Sequence, residues 1–314
     1  MADGERRVIE RLLGLNDGEL FAPAPDGLAP GRPGDDAAQA PGDVLVSVDT
    51  MVEGTHFDDR LSPEDVGWKL VAVNASDIGA CGRLPSWALL SLALPRPLDE
   101  GWVQAFATGL QAALRHWSVA LIGGDTTRIE GPRVASLTIG SAQGGPRISR
   151  SSAQPGELLW VSGTLGDAAA GFYHRHPEGL KWLRRPRPPV RLGAALGSAG
   201  VARAMMDLSD GLRADVSRMC ESSGVGATIW PDALPAGPAV TSIAEEAERM
   251  ALMTAFGEDY QLLFTASKDD DGAIRAIAAA CGASVRTIGR CTQRTDGVIF
   301  GEGKRWPVAR FAHF

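Results

Sequence analysis

The sequence lacks the features that would tie it to a membrane, to nucleic acid or to secretion. No apolar run approaches the roughly 20 residues that a membrane-spanning helix needs. The formal net charge of −7 disfavours nucleic acid and acidic membrane surfaces as partners. The N-terminal residues lack the apolar core and small-residue cleavage site of a signal peptide. We therefore expect a cytoplasmic protein with no nucleic-acid or membrane partner.

Cysteine is scarce, and its spacing is uninformative for metal binding. The chain has four cysteines, none in a CxxC pair and none with histidine at zinc-finger spacing. Reduced thiols, mostly buried, are the expected state. The four are Cys81, Cys220, Cys281 and Cys291.

The standard phosphate-binding motifs are also missing. There is no GxxxxGK[ST] segment, and no kinase-type catalytic loop with its glycine-rich cover. An enzyme that uses nucleotides would therefore have to hold phosphates mainly through metal ions, assisted by helix N-termini and arginines.

What the chain does contain is a series of aspartates beside small residues at the ends of apolar runs. Crowded carboxylates raise each other's pKa unless cations lie between them. Hard divalent cations with oxygen ligands, above all Mg²⁺, meet this need and commonly bridge carboxylates to substrate phosphates. The segments are 34–38, 47–50, 74–77, 123–127 and 207–211.

The position of each carboxylate suggests a site rather than packing. Asp49 follows a predicted strand at 44–48, and Ser47 should point to the same face as Asp49. Asp77 lies one turn after Asn74 in a predicted helix at 64–81 with little other polar surface. A solvent-facing stripe on that helix is the alternative interpretation, which the apolar neighbours weaken.

Two later segments support the same interpretation. Gly123 and Gly124 precede Asp125 after a strand predicted at 119–122, where a plain turn is an equal alternative. Ser209 or Asp210 is a good N-cap for a helix predicted at 211–222, but capping accounts for only one of the two carboxylates there.

The order of predicted elements indicates an α+β or α/β fold. A polar segment at 149–156 looks like a boundary, so we expect two domains, at 1–148 and 149–314. Helices should cover one face of the N-terminal sheet, and pairing in a homodimer would cover the other. The remaining predicted strands are 87–94, 134–141, 158–162, 227–230, 260–265, 285–289 and 297–300, and the remaining helices are 5–13, 100–117, 166–174, 190–197 and 271–281.

Two irregular segments attract notice. A Pro/Gly-rich stretch at 22–34 is predicted to be a loop. Its sequence does not decide whether it closes over a substrate. The run at 184–189 is rigid and basic. A solvated connection is the favoured interpretation, and a lid over phosphates is the alternative.

Taken in order, these motifs resemble those of the thiamine-monophosphate kinase family, within the superfamily shared with aminoimidazole ribonucleotide synthetase and selenophosphate synthetase. The resemblance spans nearly the whole chain. The matching segments are 34–36, 47–50, 54–57, 74–77, 123–128, 149–151, 207–212, 257–260 and the closing 313–314.

The resemblance implies ATP-dependent phosphorylation of thiamine monophosphate to thiamine diphosphate, by direct in-line γ-phosphoryl transfer with several Mg²⁺ ions. ATP is then a co-substrate. The resemblance also implies an α+β fold, with an N-terminal domain at 1–148 that binds metal and ATP and pairs across a dimer, and a C-terminal α/β domain at 149–314. The implied metal ligands are Asp36, Ser47, Asp49, Asp77, Asp125, Asp207 and Asp210. The implied ATP contacts are Gly124, Asp125, Arg150 and Ser209, and the implied substrate contacts are His56, Glu258 and Phe311.

Some positions depart from the family pattern. Val48 stands where a threonine is common, and Phe256 replaces a usual glycine. A tryptophan is common near Phe311, so Phe311 is expected to stack on the substrate, with Trp306 as the alternative. A purely structural role is the alternative for His56.

Two other functions remain open at this stage. One is a related ATP-dependent synthetase of the same superfamily. The chain has no cysteine before Cys81 and no lysine before Lys69, which disfavours the selenophosphate synthetase branch. The other is a catalytically silent nucleotide sensor, which would bind ATP with Mg²⁺ but release no thiamine diphosphate.

Overall fold

The structure of the protein is a computed structural model that describes residues 35–301. Within that range no helix is both long enough and apolar enough to span a lipid bilayer. The predicted helix 5–13, the loop 22–34 and both candidate stacking residues, Phe311 and Trp306, lie outside the described residues.

The N-terminal half is a five-stranded sheet in the order β1-β2-β5-β3-β4, with two helices on one face. Neighbouring strands run antiparallel except β3 and β4, which are parallel. The elements are β1 (Ala38–Ala40), β2 (Val44–Val52), α1 (Pro63–Ala80), β3 (Pro85–Leu94), α2 (Glu100–His116), β4 (Ala120–Arg128) and β5 (Val134–Ser141).

Helix α1 is buried on almost every side, which places its few polar residues in the protein interior. It begins with a capping box, in which Ser62 accepts from the backbone N–H of Asp65 and the Asp65 carboxylate accepts from that of Ser62. A Cβ at Gly109 of α2 would lie 1.8 Å from the carbonyl oxygen of Glu64, so glycine permits the close packing of the two helices.

The C-terminal half is a six-stranded sheet in the order β11-β8-β10-β6-β9-β7, with apolar clusters on both faces. Its strands are β6 (Leu158–Ser162), β7 (Ala204–Asp207), β8 (Gly226–Ile229), β9 (Leu262–Ala266), β10 (Val285–Thr292) and β11 (Val298–Phe300). Its helices are α3 (Asp167–His174), α4 (Pro177–Arg184), α5 (Val190–Ala199), α6 (Leu212–Ser223), α7 (Pro238–Thr241), α8 (Glu246–Thr254) and α9 (Asp271–Ala280).

The α+β class predicted from the sequence is confirmed, but the strands that carry Asp49 and Asp125 were predicted too short. Strand β2 continues to Val52 and β4 to Arg128, so Asp49 and Asp125 lie inside strands rather than after them. Every residue of β4 is exposed in the single chain. The division between residues 148 and 149 stays a prediction.

One face of the N-terminal sheet is left open by the described residues of the single chain. Side chains alternate along each strand, so Leu45, Ser47 and Met51 of β2 face the helices and are buried. Val48 and Leu89 point the other way and are 62% and 39% exposed. This open face contrasts with the C-terminal sheet, which is covered on both sides.

Candidate active site at the meeting of the two sheets

Three carboxylates from distant parts of the chain converge at one point. Asp36 precedes β1, Asp77 lies near the end of α1, and Asp207 is the last residue of β7. One oxygen from each lies within 4.8 Å of the others. Carboxylate oxygens at this spacing are the donors that Mg²⁺ prefers, so the donor set fits a divalent cation.

Neighbouring polar groups fix the orientation of this carboxylate cluster. The Ser47 hydroxyl donates to Asp77, and the Ser76 hydroxyl donates to Asp207 over 2.6 Å. The amide side chain of Asn74 accepts from the backbone N–H of Asp49 at 3.0 Å, which fixes β2 against α1. Asn74 and Asp77, which were predicted to share one face of α1, thus both contact β2.

The electrostatics of the cluster favour protons or cations. Burial, with further repulsion from nearby carboxylates, raises the pKa of Asp36 to about 7 and the pKa of Asp49 to about 6. Burial also raises the pKa of Asp207 to about 6, and that of Asp77 well above its usual range. The carboxylates therefore oppose simultaneous ionisation unless positive charge is supplied.

Arg150 supplies part of that charge. Its guanidinium forms an ion pair with Asp36. The adjacent Asp35 holds the segment in place, because its carboxylate accepts from the Ser149 hydroxyl at 2.8 Å, the Arg150 backbone N–H at 3.1 Å and the Arg147 guanidinium at 2.7 Å. Asp35 therefore holds the segment in place, and Asp36 contributes its carboxylate to the cluster.

The connection from β7 to α6 carries Ser209 and Asp210, and the structure corrects their predicted role. Neither side chain caps α6. The buried carboxylate of Asp215, within the helix, instead accepts from the backbone N–H groups of Asp210 and Gly211, at 3.2 and 3.0 Å. Asp210 is left to pair with Arg218. Asp215 of α6 therefore holds the connection in place. The carboxylate of Asp207, at the start of this connection, belongs to the cluster.

A cavity of about 200 Å³ lies next to the β7–α6 connection, whose first residues directly follow Asp207 of the cluster. Ser209, Asp210, His56 and Glu258 all line it. The His56 Nδ1 accepts from the backbone N–H of Val52 at 3.1 Å, which puts the proton of the neutral ring on Nε2. The structure thus brings two predicted substrate contacts and two residues of the β7–α6 connection to one cavity.

Sequence reasoning missed one residue of this cavity. Lys69 lines it, is only 2% exposed and forms an ion pair with Glu258. The signal was present in the sequence, because Lys69 interrupts the apolar run of α1 from Trp68 to Val73. A charged residue inside a buried helix needs a partner or a function.

Gly124 and Asp125 do not join the other site residues within the chain. Asp125 pairs in register with Ser91, Ser91 with Ser136, and Ser136 with Thr50. Registered neighbours share a face, so Asp125 lies on the open face, whereas Asp49 lies on the helix-covered face three strands away. The missing side chain at Gly124 also has a packing reason, since a Cβ would lie 2.0 Å from the Leu90 carbonyl oxygen.

Comparison with known proteins identifies the family. Two family models, described as AIR synthase related protein, N-terminal domain and C-terminal domain, match residues 34–142 and 154–302. Thiamine-monophosphate kinase of Salmonella typhimurium is 36% identical over 269 residues, covering 82% of this chain and 81% of that protein. The chain belongs to the thiamine-monophosphate kinase family.

Solved structures agree with this assignment. The crystal structure of thiamine-monophosphate kinase from Stenotrophomonas maltophilia K279a shares 35% identity, covers 95% of both chains and gives a TM-score of 0.77. The structure of AaThiL complexed with AMPPCP and TMP shares 29% identity, covers 98% of this chain and 95% of that one, and gives a TM-score of 0.80. The family resemblance and the kinase class predicted from the sequence are confirmed.

Proposed function

We propose that this enzyme transfers the γ-phosphoryl group of ATP directly to thiamine monophosphate, giving thiamine diphosphate and ADP. The observation that carries the proposal is the carboxylate cluster of Asp36, Asp77 and Asp207 beside a cavity lined by His56 and Glu258. In this proposal the cluster binds the phosphates of ATP through metal ions, and the cavity binds the thiamine compound. Membership of the thiamine-monophosphate kinase family supports this choice of substrates.

The charge of the reactants explains why the site is acidic. ATP and the acceptor phosphate repel each other by about 4 kcal/mol per pair of unit charges at about 4 Å and an effective dielectric near 20. Several bound Mg²⁺ ions would offset that repulsion and neutralise the transferring group. The residues proposed to hold them are Asp36, Ser47, Asp49, Asp77, Asp125, Asp207 and Asp210.

The remaining groups bind and orient the reactants. Arg150 pairs with Asp36 at the cluster, which supports the proposal that it contacts a phosphate there. Ser209 lines the cavity. The attacking oxygen belongs to a phosphate and is already anionic, so the transfer requires no general base. The proposed ATP contacts are Gly124, Asp125, Arg150 and Ser209. The proposed contacts of the thiamine compound are His56, Glu258 and Phe311.

Asp125 can serve in this scheme if it comes from a second copy of the chain. It lies on the open face of β4, an edge strand, away from the cluster of its own chain. The same face exposes Val48 and Leu89. We therefore propose a homodimer in which the open faces pack together and each β4 delivers Gly124 and Asp125 to the site of its partner.

Product analysis tests the function. Purified protein is incubated with ATP, Mg²⁺ and either thiamine monophosphate or thiamine, and the products are separated by chromatography. We expect thiamine diphosphate from the monophosphate alone, with one ADP formed per product. Tight binding of ATP without any thiamine diphosphate would instead point to a related synthetase or a silent nucleotide sensor.

A further inference from the structure

The ion pair between Lys69 and Glu258 lies in the wall of the cavity beside the carboxylate cluster. Lys69 is 2% exposed and extends from α1, whereas the Glu258 side chain is 24% exposed. Glu258 also has a left-handed backbone, with φ of +71°. Both the burial of the lysine and the strained backbone of the glutamate lower the stability of the folded protein.

Fold stability is a poor explanation for the pair. Removing two charges from water costs about as much as their attraction returns, so apolar residues of similar size usually serve a core equally well. The neighbours of Lys69 along α1, Trp68 and Leu70, are themselves buried and apolar. The pair therefore calls for a functional explanation at the cavity that it lines.

Arg60, a second basic residue in the lining of this cavity, already binds other groups of the protein. Its guanidinium donates to both oxygens of Asp58, at 2.9 and 3.1 Å from Nε, and to the carbonyl of Phe172 at 3.1 Å. It also stacks over the Phe172 ring at 3.7 Å. Lys69 differs, because its counter-ion is a cavity residue already proposed to contact substrate.

The proposed substrate carries both signs of charge. Thiamine monophosphate has a cationic thiazolium ring and an anionic phosphate, so a lysine and a glutamate on one cavity wall complement both of its charges. Unphosphorylated thiamine has the cation alone. The inference that follows rests on the proposed function.

We propose that Lys69 is a phosphate-binding residue that makes the enzyme specific for the phosphorylated form of thiamine. On binding, the Lys69 ammonium leaves Glu258 and donates to the substrate phosphate, and the freed Glu258 carboxylate faces the cationic part of the substrate. One ion pair is exchanged for two, and the flexible lysine stem, with its three donors, suits the exchange.

The exchange discriminates against thiamine for a physical reason. Thiamine attracts Glu258 but offers no anion to Lys69, so its binding leaves a buried ammonium unpaired. A site whose buried polar groups go unsatisfied rejects the smaller analogue strongly. Lys69 therefore penalises thiamine as much as it attracts the monophosphate.

Equilibrium binding with Mg²⁺ and without ATP tests this proposal. The proteins are wild type, Lys69→Met, Lys69→Arg and, as a matched control, Lys181→Met, whose lysine pairs with Glu178 on the surface. Lys69→Met should bind thiamine monophosphate about 10- to 100-fold more weakly, the worth of a charged hydrogen bond. Its affinity for thiamine should stay the same or increase. Lys69→Arg should keep most of the preference, and Lys181→Met all of it.

An equal loss of affinity for both ligands in Lys69→Met would overturn the proposal, because it would mean that Lys69 only positions Glu258. If Lys69→Met fails to fold, the double variant Lys69→Met/Glu258→Gln, which leaves no unpaired charge, carries the same comparison of the two ligands. Wild-type turnover separates the two proposals. Without thiamine diphosphate from wild type the proposed function fails, whereas normal turnover with unaltered selectivity in the Lys69 variants defeats this inference alone.

Discussion

The hydroxyl of Ser76 donates a 2.6 Å hydrogen bond to the carboxylate of Asp207, which lies 131 residues further along the chain. The bond joins α1, in the N-terminal half, to the last residue of β7 in the C-terminal sheet. Both residues are buried, at 1% and 2% exposure. The two halves are thus connected by a polar contact at the carboxylate cluster itself.

Replacing Ser76 with alanine should weaken both the fold and the cluster. Loss of a buried hydrogen bond to a charged group costs about 1.5–3 kcal/mol of unfolding free energy. The Asp207 oxygen also loses its orientation, so the Mg²⁺ concentration for half-maximal activity should increase. Denaturant unfolding and a Mg²⁺ titration of activity measure the two effects. Ser217→Ala, on the exposed side of α6, is the control, and identical results for both variants would contradict the role of Ser76.

The metal-free protein should lose stability as the pH rises from about 4 to about 7. In this range the folded state binds more protons than the unfolded state, because folding raises the pKa of Asp36 to about 7 and that of Asp207 to about 6. The free energy of unfolding therefore falls as the cluster ionises. Thermal melts in EDTA from pH 5 to pH 8 should show this decline.

Added Mg²⁺ should oppose that decline, since it binds the ionised carboxylates of the folded state only. Asp77→Asn removes one of the repelling charges and should flatten the pH dependence in EDTA. A decline of equal steepness in wild type and in Asp77→Asn would show that other groups control it.

Mixing two inactive variants tests whether Asp125 acts across a dimer. Asp49→Asn and Asp125→Asn should each abolish turnover while leaving the fold intact. If each site combines Asp49 of one chain with Asp125 of the other, a mixed dimer contains one site with both aspartates. An equimolar mixture, unfolded and refolded together, should then recover about one quarter of wild-type activity, because half of the dimers are mixed.

The same mixture gives a clear opposite result. With Asp49 and Asp125 in the same chain's site, every site of every dimer would carry one substitution, and activity would stay absent. Wild type taken through the same refolding provides the reference. Circular dichroism of each single variant checks that inactivity does not reflect misfolding.

A methyl group at Gly257 should disrupt the cavity. Its Cβ would lie 1.7 Å from the carbonyl oxygen of Ser209, so the segment next to Glu258 would have to move away from the β7–α6 connection. We expect Gly257→Ala to lower both the melting temperature and the activity. Gly272→Ala, in α9 with no atom within 4 Å of the added Cβ, should be neutral or stabilising by about 0.5–1 kcal/mol. Normal activity in Gly257→Ala would show that this close approach is dispensable.

Hydrophobic periodicity and the order of the motifs were enough to predict most of the fold, because long amphipathic helices and apolar strands carry strong local signals. The short strand β7 and helix α8 escaped prediction, since four- and nine-residue elements have little periodicity to detect. Strands β2 and β4 were ended too early, because the aspartate after Val48 and the two glycines after Ile122 are residue types depleted in strands. In β2, Asp49 is accommodated instead because Asn74 holds its backbone and the cluster surrounds its carboxylate.

Only part of the candidate site was predicted, because only some of its residues lie in recognisable sequence motifs. Residues within motifs, such as Asp36, Asp77 and Asp207, were recognised by their small neighbours and converge as expected. The capping role of Asp215 and the pairing of Lys69 with Glu258 depend on contacts between distant segments, which local sequence does not encode. The face on which Asp125 lies depends on strand register across the whole sheet.

Helix α1 carries Lys69 in the cavity wall and Asp77 at the cluster, eight residues further on. At a rise of about 1.5 Å per residue, the helix fixes their separation along its axis at about 12 Å. Because α1 is packed on nearly all sides, the distance between Lys69 and the cluster cannot change as substrates come and go. An acceptor phosphate held by Lys69 on one side and by metal at the cluster on the other would therefore have a fixed position, and the γ-phosphoryl group of ATP would have to approach it along one line.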